Sequence, residues 1–225
     1  MTVTFKSYSV ADGSGSTTLS ISPPAGMAKG DILIAMIVAS GNGTNISVNQ
    51  AGWTKVASQA MSGPGYIGIL YTYTVGIVAN EPSAYQFTYL ASKPFFNGGI
   101  FCYTGNTPVI DVISSSLTVS TSSPNTCPSI TTTKPGSLVY VTYSYQQGNT
   151  PGITPPTGFT EQYDGFPSSP VATIELAIAD MPNYSVGATG ALQSTSSGAF
   201  AELATALIQI YDTSPSSGLF FGATI

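Results

Sequence analysis

Histidine and arginine are missing from this chain of 225 residues, and five lysines stand against ten aspartates and glutamates. Without histidine there is no Ser-His-Asp or Cys-His catalytic arrangement and no zinc site of the usual nitrogen and sulfur type. Five scattered lysines also cannot supply the clustered positive charge that binds a nucleic-acid backbone or an anionic membrane surface. We therefore expect no nucleic-acid partner.

Charged side chains of either sign are scarce. They make up 7% of the chain, whereas about 25% is usual for soluble proteins. Hydrophobic residues make up 42%, so the composition is the opposite of that of a disordered chain. Serine, threonine, asparagine, glutamine and glycine supply the solubility, as they do in many extracellular and virion-surface β proteins.

Long apolar segments are lacking as well. No apolar run reaches the length of about 18 residues that a membrane span needs, so we expect no membrane insertion. Residues 1–16 have no basic start followed by an apolar core, so we expect no signal peptide. A bacteriophage structural protein, made in the host cytoplasm and released by lysis, reconciles this start with the external composition. We therefore expect a location in the virion, with an extracellular surface as the alternative.

The ten carboxylates are scattered and form no catalytic signature. Glu161 and Asp164 share one turn-like stretch, and Glu175 and Asp180 share another. A glycosidase needs two carboxyl groups that the fold brings together, but we favour solvated turn residues for these four. We predict no catalytic residue, no metal site, no cofactor and no enzymatic activity.

Two residue pairs leave alternatives open. An irregular calcium site at Asp31 or Asp111 is one of them, although no run of the sequence has EF-hand spacing. Cys102 lies in a predicted strand and Cys127 opens the next one, so a disulfide between neighbouring strands is the alternative to two buried thiols. We favour the thiols, which suit a chain that folds in a cytoplasm.

The sequence is similar to itself over a long interval. KGDILIAMIVA begins at Lys29 and KPGSLVYVTYS at Lys134, and their glycines, Gly30 and Gly136, lie 106 positions apart. The same offset joins residues 52–54 (GWT) to 158–160 (GFT) and residues 68–71 to 174–177, while Tyr103 and Tyr211 lie 108 apart. Landmarks in the same order, each beside a strand-like run, indicate an internal duplication. We place the halves at roughly 10–106 and 116–212, within one domain spanning 1–212 and followed by an apolar tail, 213–225.

The local patterns are those of β-strands. Residues 32–39 are continuously apolar, as in a strand buried on both faces, and residues 84–90 alternate between aromatic and polar side chains. Residues 198–211 have helical apolar spacing, but the repeat aligns them with the strand-like run 99–103, so we predict a strand. Each half alone would leave an open sheet, and we expect both together to close one core. The prediction is an all-β, jelly-roll-like β-sandwich of two repeated halves with extended terminal arms.

Several short motifs in a set order resemble a known family. They are residues 24–26 (PAG), 30–35 (GDILIA), 51–54 (AGWT), 70–73 (LYTY), 98–100 (GGI) and 103–105 (YTG). Their order is similar to that of a β-sandwich domain of bacteriophage virion and tail-associated proteins, in which a PAG…GDLLLA run precedes a GWT turn. The resemblance covers roughly residues 18–145 well and the remainder loosely. It implies a structural or adhesive role on a virion and transfers no active-site residue.

Aromatic and amide side chains predict a recognition surface. Trp53 lies in a turn where its ring could stack on a sugar, although its repeat mate Phe159 favours a core plug at both places. Tyrosine beside glutamine and asparagine is a composition typical of recognition surfaces. The recognition residues predicted on this basis are Trp53, Tyr145, Gln146, Gln147 and Tyr163, with a host-surface glycan as the ligand.

Both termini carry apolar side chains. After Asp212 the sequence TSPSSGLFFGATI is surplus to the repeat, and its apolar side chains would form a patch of the kind that monomers avoid. Such a tail either folds back as an edge strand or docks on a neighbouring subunit by strand addition, and we favour the neighbour. The N-terminal run 3–9 is a second candidate for exchange. The predicted assembly residues are Leu219, Phe220, Phe221, Ile225, Val3 and Phe5.

These observations predict a non-enzymatic structural protein of a bacteriophage virion surface. It would be a capsid decoration protein, head fibre or tail component that assembles through its termini with copies of itself and other virion proteins. A receptor- or carbohydrate-binding module on a virion or cell surface is the alternative from another class. A donor-strand-linked extracellular filament subunit is a further alternative, although the signal peptide it would need is lacking.

Overall fold

The structure is a computed structural model, and it describes residues 2–13, 15–40, 46–60, 66–89, 96–114, 118–121, 123–146, 152–167, 174–197 and 200–213. Almost all of its regular structure is β-strand, which confirms the predicted all-β class. Within these ranges one helical turn, Val78–Asn80, interrupts the strands.

The first half of the chain forms two antiparallel sheets. Its strands are β1 (Thr4–Asp12), β2 (Thr18–Ile21), β3 (Ile32–Ser40), β4 (Ile46–Val48), β5 (Thr54–Ala60), β6 (Tyr66–Thr74), β7 (Tyr85–Tyr89) and β8 (Phe96–Thr104). The large sheet has the order β1-β8-β3-β6-β5 and the small sheet the order β2-β7-β4. In β7 the side chains of Tyr85, Phe87 and Tyr89 are buried while Gln86 is exposed, so the small sheet packs one face against the large sheet.

The second half has the same strand order. Its strands are β9 (Pro108–Ile113), β10 (Thr118–Ser120), β11 (Asn125–Cys127), β12 (Thr131–Thr132), β13 (Gly136–Gln146), β14 (Ile153–Thr154), β15 (Thr160–Gly165), β16 (Ile174–Tyr184), β17 (Gly187–Ala188), β18 (Leu192–Ser196) and β19 (Phe200–Asp212). The large sheet runs β10-β19-β13-β16-β15, with β9 also paired to β19, and the small sheet runs β11-β18-β14. A short ladder of β12 and β17 is added. Equal strand order is what the internal repeat predicts, and descent from a duplication stays a prediction.

The two large sheets pack on each other and form a central core. In β3 the side chains of Ile34 and Met36 point into this core, where they join Val139 and Val141 of β13. The alternate residues of β3, such as Leu33, point the other way, towards the small sheet. The layers are therefore small sheet, large sheet, large sheet and small sheet. The expected single shared core is only the central one, because each half also closes a core of its own with short strands.

Strand β19 shows why helical spacing misleads in a buried strand. Residues 203–210 are buried without interruption, and β13 and β9 pair with the strand from its two sides. When both faces of a strand are covered, every position is either apolar or hydrogen-bonded within the protein. Apolar residues then also occur at helical spacing by chance, so this spacing does not indicate a helix. The predicted strand is confirmed for residues 200–211, and residues 198–199 lie outside the described residues.

Gly68 leaves room for a side chain of the opposite half. A Cβ atom at this position of β6 would lie 2.1 Å from Cζ of Tyr143 in β13. The Tyr143 hydroxyl reaches across the central core and donates a hydrogen bond to the carbonyl oxygen of Gln59 at 3.0 Å. The absence of a side chain at Gly68 therefore allows the two halves to close on each other.

We expect Gly68→Ala to destabilise the protein by about 1–3 kcal/mol, because overpacking a dense core forces its neighbours to move. Urea unfolding monitored by tyrosine fluorescence measures this change. Gly76→Ala is the matched control, since its Cβ atom would meet only the Glu81 carboxylate, at the ordinary contact distance of 4.0 Å. Equal losses in the two variants would contradict the packing of Tyr143 against β6.

Candidate functional sites

Trp53 is a core plug and not a recognition residue. Its ring stacks on Tyr73, with centroids 5.1 Å apart, and it meets Tyr85 and Phe87 edge to face at 5.4 and 5.7 Å. Phe159, its counterpart in the second half, is packed in the same way, edge to face on Tyr140 at 6.1 Å. Both rings therefore cover the end of a core, which corrects the assignment of Trp53 to a ligand surface.

Tyr163 belongs to the contact between the halves and not to a polar surface loop. Its ring centroid lies 4.8 Å from that of Tyr8 in β1 and 5.9 Å from that of Phe101 in β8. Burial raises the pKa of Tyr163 to about 12. Its predicted role in surface recognition is therefore corrected to packing. Of the other predicted recognition residues, Tyr145 and Gln146 belong to β13 but their side chains lie outside the described part of the chain, as does Gln147 altogether.

The N-terminal arm is occupied within its own chain. Val3 is 1% exposed in the central core, and its carbonyl oxygen accepts a hydrogen bond from the Ser137 hydroxyl at 3.0 Å. Phe5 pairs with Tyr103 in the β1–β8 ladder and packs edge to face on the same ring at 5.6 Å. In this chain Val3 and Phe5 pack within their own molecule, and exchange of the arm between copies stays a prediction.

The C-terminal tail begins at a firmly held point. The Asp212 carboxylate accepts hydrogen bonds from the backbone N–H groups of Asn106 and Thr107 at 2.8 and 3.1 Å, and from the Thr107 hydroxyl at 3.2 Å. Thr213 donates its N–H and its hydroxyl to the Thr107 carbonyl oxygen, both at 3.1 Å. These contacts tie the end of the second half to the link between the halves. The four predicted tail residues, Leu219, Phe220, Phe221 and Ile225, lie outside the described residues.

A fully buried and a half-buried carboxyl group lie side by side in the second half. Glu175 is fully buried in β16, where it accepts hydrogen bonds from the Ser144 hydroxyl at 3.0 Å and the Gly152 N–H at 2.7 Å. Asp164 in β15 accepts one from the Ile153 N–H at 3.2 Å. The interpretation of these residues as solvated turn positions is wrong. A glutamate inside the apolar run IELAIA was the signal in the sequence that pointed to a buried carboxyl group.

The pKa of the Asp164 carboxyl group is raised by its own burial and by its neighbour Glu175. Burial, a hydrogen bond to Glu175 and the negative charge of Glu175 raise the pKa of Asp164 to about 8. The Oδ1 atom of Asp164 is buried and has no hydrogen-bond donor among the described residues. A proton on Asp164 that points towards Glu175 completes its hydrogen bonding. Among charged neighbours, Glu161 adds a smaller repulsion.

The remaining carboxylates of interest are engaged by protein groups. Asp31 is 2% exposed and binds the Lys6 ammonium group at 2.9 Å and the Ala28 N–H at 2.7 Å. Asp111 accepts the N–H of Thr133 at 2.6 Å and its hydroxyl at 2.5 Å. Each aspartate therefore holds a turn in place. Across the described ranges, no three His, Cys, Asp or Glu residues gather into a group that could hold a metal ion.

Three further buried groups have shifted pKa values. Asp180 is 4% exposed between the halves; burial raises its pKa, against hydrogen bonds from Gln162 and Tyr103. Cys102 and Cys127 are buried as free thiols. Burial raises the pKa of Cys102 to about 12 and that of Cys127 to about 11, which leaves both protonated and unreactive at neutral pH.

The raised pKa of Asp164 predicts that the free energy of unfolding depends on pH. The folded chain keeps a proton on Asp164 that the unfolded chain releases near pH 3.8, so this pair lowers the free energy of unfolding progressively as the pH rises to about 8. We expect Asp164→Asn, which carries no titrating proton, to gain stability relative to the natural protein across this interval and to stay level above it. Urea unfolding at a series of pH values measures the difference. Glu161→Gln, on the same strand but exposed, is the control and should keep the pH dependence, with only a small decrease in the pKa of Asp164. Parallel pH profiles for Asp164→Asn and the natural protein would contradict the raised pKa of Asp164.

Comparison of the chain with protein-family models, with curated proteins and with solved structures finds no match. Among the described residues, no helix has the length and apolar character of a bilayer span. The resemblance to bacteriophage β-sandwich domains therefore stays a prediction, and function is inferred from the structure of this chain.

Proposed function

We propose that the chain is a non-enzymatic structural protein of a bacteriophage virion surface, a capsid decoration, head-fibre or tail component that assembles with copies of itself. The observation that carries the proposal is the anchored C-terminus. Asp212 and Thr213 hold the chain at the junction of the halves, and the sequence beyond them contains Leu219, Phe220 and Phe221. An apolar segment that starts from a held point is suited to docking on a neighbouring copy.

The sheet edges support assembly through a dedicated segment. Strands β1, β5 and β15 lie at the ends of the large sheets, and each has an irregularity in its register, after Phe5, Lys55 and Glu161 respectively. Bulges in edge strands discourage uncontrolled pairing between copies. A tail that docks on a defined acceptor gives ordered assembly without relying on these edges.

The carboxylates support a structural role too. Asp31 fastens β1 to the turn before β3, Asp111 fastens β9 to the turn after β12, and Asp212 fastens the two halves at the C-terminus. In each case protein donors occupy the oxygen atoms. These groups serve as fasteners of turns and termini, as suits a durable coat component.

A receptor- or carbohydrate-binding role on a virion or cell surface is the second candidate. The predicted residues Trp53 and Tyr163 no longer favour it, because both are packing residues. A neutral groove in the first half favours it instead.

The assembly proposal is tested by light scattering on the full-length chain and on a chain that ends at Thr213, which keeps the hydrogen bonds to Thr107. We expect a defined oligomer for the full chain and a monomer for the truncated one, because the apolar docking segment is lost. The double variant Phe220→Ser, Phe221→Ser should reproduce the monomer. Ser216→Ala with Ser217→Ala, in the same tail, is the control and should keep the oligomer. If the full-length chain is already a stable monomer, the proposal fails.

A further inference from the structure

An open groove lies at one end of the first half. It has a volume of about 520 Å³ and lies between the residues that follow β4, the start of β7 and the segment after the helical turn. Its lining side chains are all neutral, and those with polar ends are Asn49, Gln50, Asn80, Ser83 and Gln86. The size falls in the range of small-molecule sites, which is roughly 300–1,000 Å³.

A partly buried carboxylate lies next to the groove and is bonded to Gln50, one of its lining residues. Glu81 accepts hydrogen bonds from the Tyr73 hydroxyl at 2.7 Å, Gln50 Nε2 at 2.9 Å, the Tyr85 hydroxyl at 3.1 Å and the Gly76 N–H at 3.3 Å. Burial acts to raise the pKa of Glu81, but these donors outweigh it and the net shift is downwards. Donors of the protein thus satisfy the negative charge of Glu81, and the side chains that line the groove are neutral.

The amide side chains are pre-positioned. The Asn49 N–H donates to the Gln86 carbonyl oxygen at 3.0 Å, and Asn49 Nδ2 donates to Gln86 Oε1 at 3.2 Å, so the two side chains stand together on adjacent strands. Gln50, tied by its Nε2 atom to Glu81, has a buried Oε1 atom with no partner among the described residues. The carboxamide groups of Asn49 and Gln86 thus reach the groove side by side.

The second half builds something else at the equivalent place. Register with β4 and β14 makes Gln193 in β18 the counterpart of Gln86 in β7. There the chain after β16 continues into β17, which pairs with β12, and Gln193 donates to the Thr126 hydroxyl at 3.3 Å. The segment 76–84 and its helical turn are therefore specific to the first half. The strand order that both halves share does not require them.

We propose that this groove binds a neutral saccharide. Carboxamide groups both donate and accept, so neighbouring ones match the vicinal hydroxyl groups of a sugar ring. Pro82 and Ala84 in the same lining supply apolar surface that can contact the C–H face of a ring. No lining side chain is cationic, so the groove has nothing to neutralise a sialic acid or a sulfate group. This proposal does not depend on assembly through the tail.

The test is a two-dimensional NMR titration of the full-length chain with neutral trisaccharides of glucose, of galactose and of N-acetylglucosamine, and with sialyllactose as the anionic probe. We expect a neutral trisaccharide to shift the side-chain amide signals of Asn49, Asn80 and Gln86, and sialyllactose to bind more weakly through its neutral end only. Gln86→Ala should weaken the binding by at least about tenfold, and Gln193→Ala, the matched control, should leave it unchanged.

Each contrary outcome overturns the proposal. These outcomes are no shift of the groove amides with any neutral trisaccharide at millimolar concentration, shifts confined to residues away from the groove, or equal binding by Gln86→Ala and Gln193→Ala. Asn80→Ala, on the opposite wall and outside the strands, keeps the test decisive if Gln86→Ala does not fold. Because the truncated chain ending at Thr213 retains the groove, it should bind the same sugar, which separates failure of this proposal from failure of tail-mediated assembly.

Discussion

The contact between the two large sheets is the constraint on which the rest of the structure depends. Each large sheet has two apolar faces, and its own small sheet covers only one of them. Strand β3 shows the consequence, since Ile34 and Met36 would face water in an isolated half. Burying such side chains is worth roughly 1.5–3 kcal/mol each. The halves therefore stabilise each other through the central core.

This constraint also decides where polar groups must find partners. Thr142 in β13 is fully buried and donates its hydroxyl to the Ala204 carbonyl oxygen at 2.9 Å. The Ser144 hydroxyl, two residues further along β13, donates a hydrogen bond to the Glu175 carboxylate in the same sheet. A central sheet covered on both faces has no water to offer these groups, so Thr142 and Ser144 are bonded to neighbouring strands. Glu175 follows the same rule, because it accepts hydrogen bonds from Ser144 and from the Gly152 N–H.

Sequence patterns were sufficient for the long strands and insufficient for the sites. The apolar run of β3 and the repeat that turned β19 from a helical pattern into a strand were informative because burial on two faces acts on every residue. The small sheets were missed because β4 and β11 have only three residues each. The carboxyl pair was missed because it requires the register of β15 against β16, in which Asp164 lies opposite Ala177. The groove depends on three separate segments whose approach no local pattern encodes.

The two halves share a scaffold but differ at the ends of their sheets, and this difference bears on function. In the first half a carboxylate, Glu81, is saturated by tyrosine, glutamine and backbone donors, and an open neutral groove lies next to it. In the second half the carboxyl pair and the β12–β17 ladder occupy the places where strands end, and Asp212 secures the start of the tail. A scaffold that needed only to pack would gain nothing from treating equivalent ends so differently. Under the two proposals, the second half carries the anchored start of the tail and the first half carries the groove for a ligand.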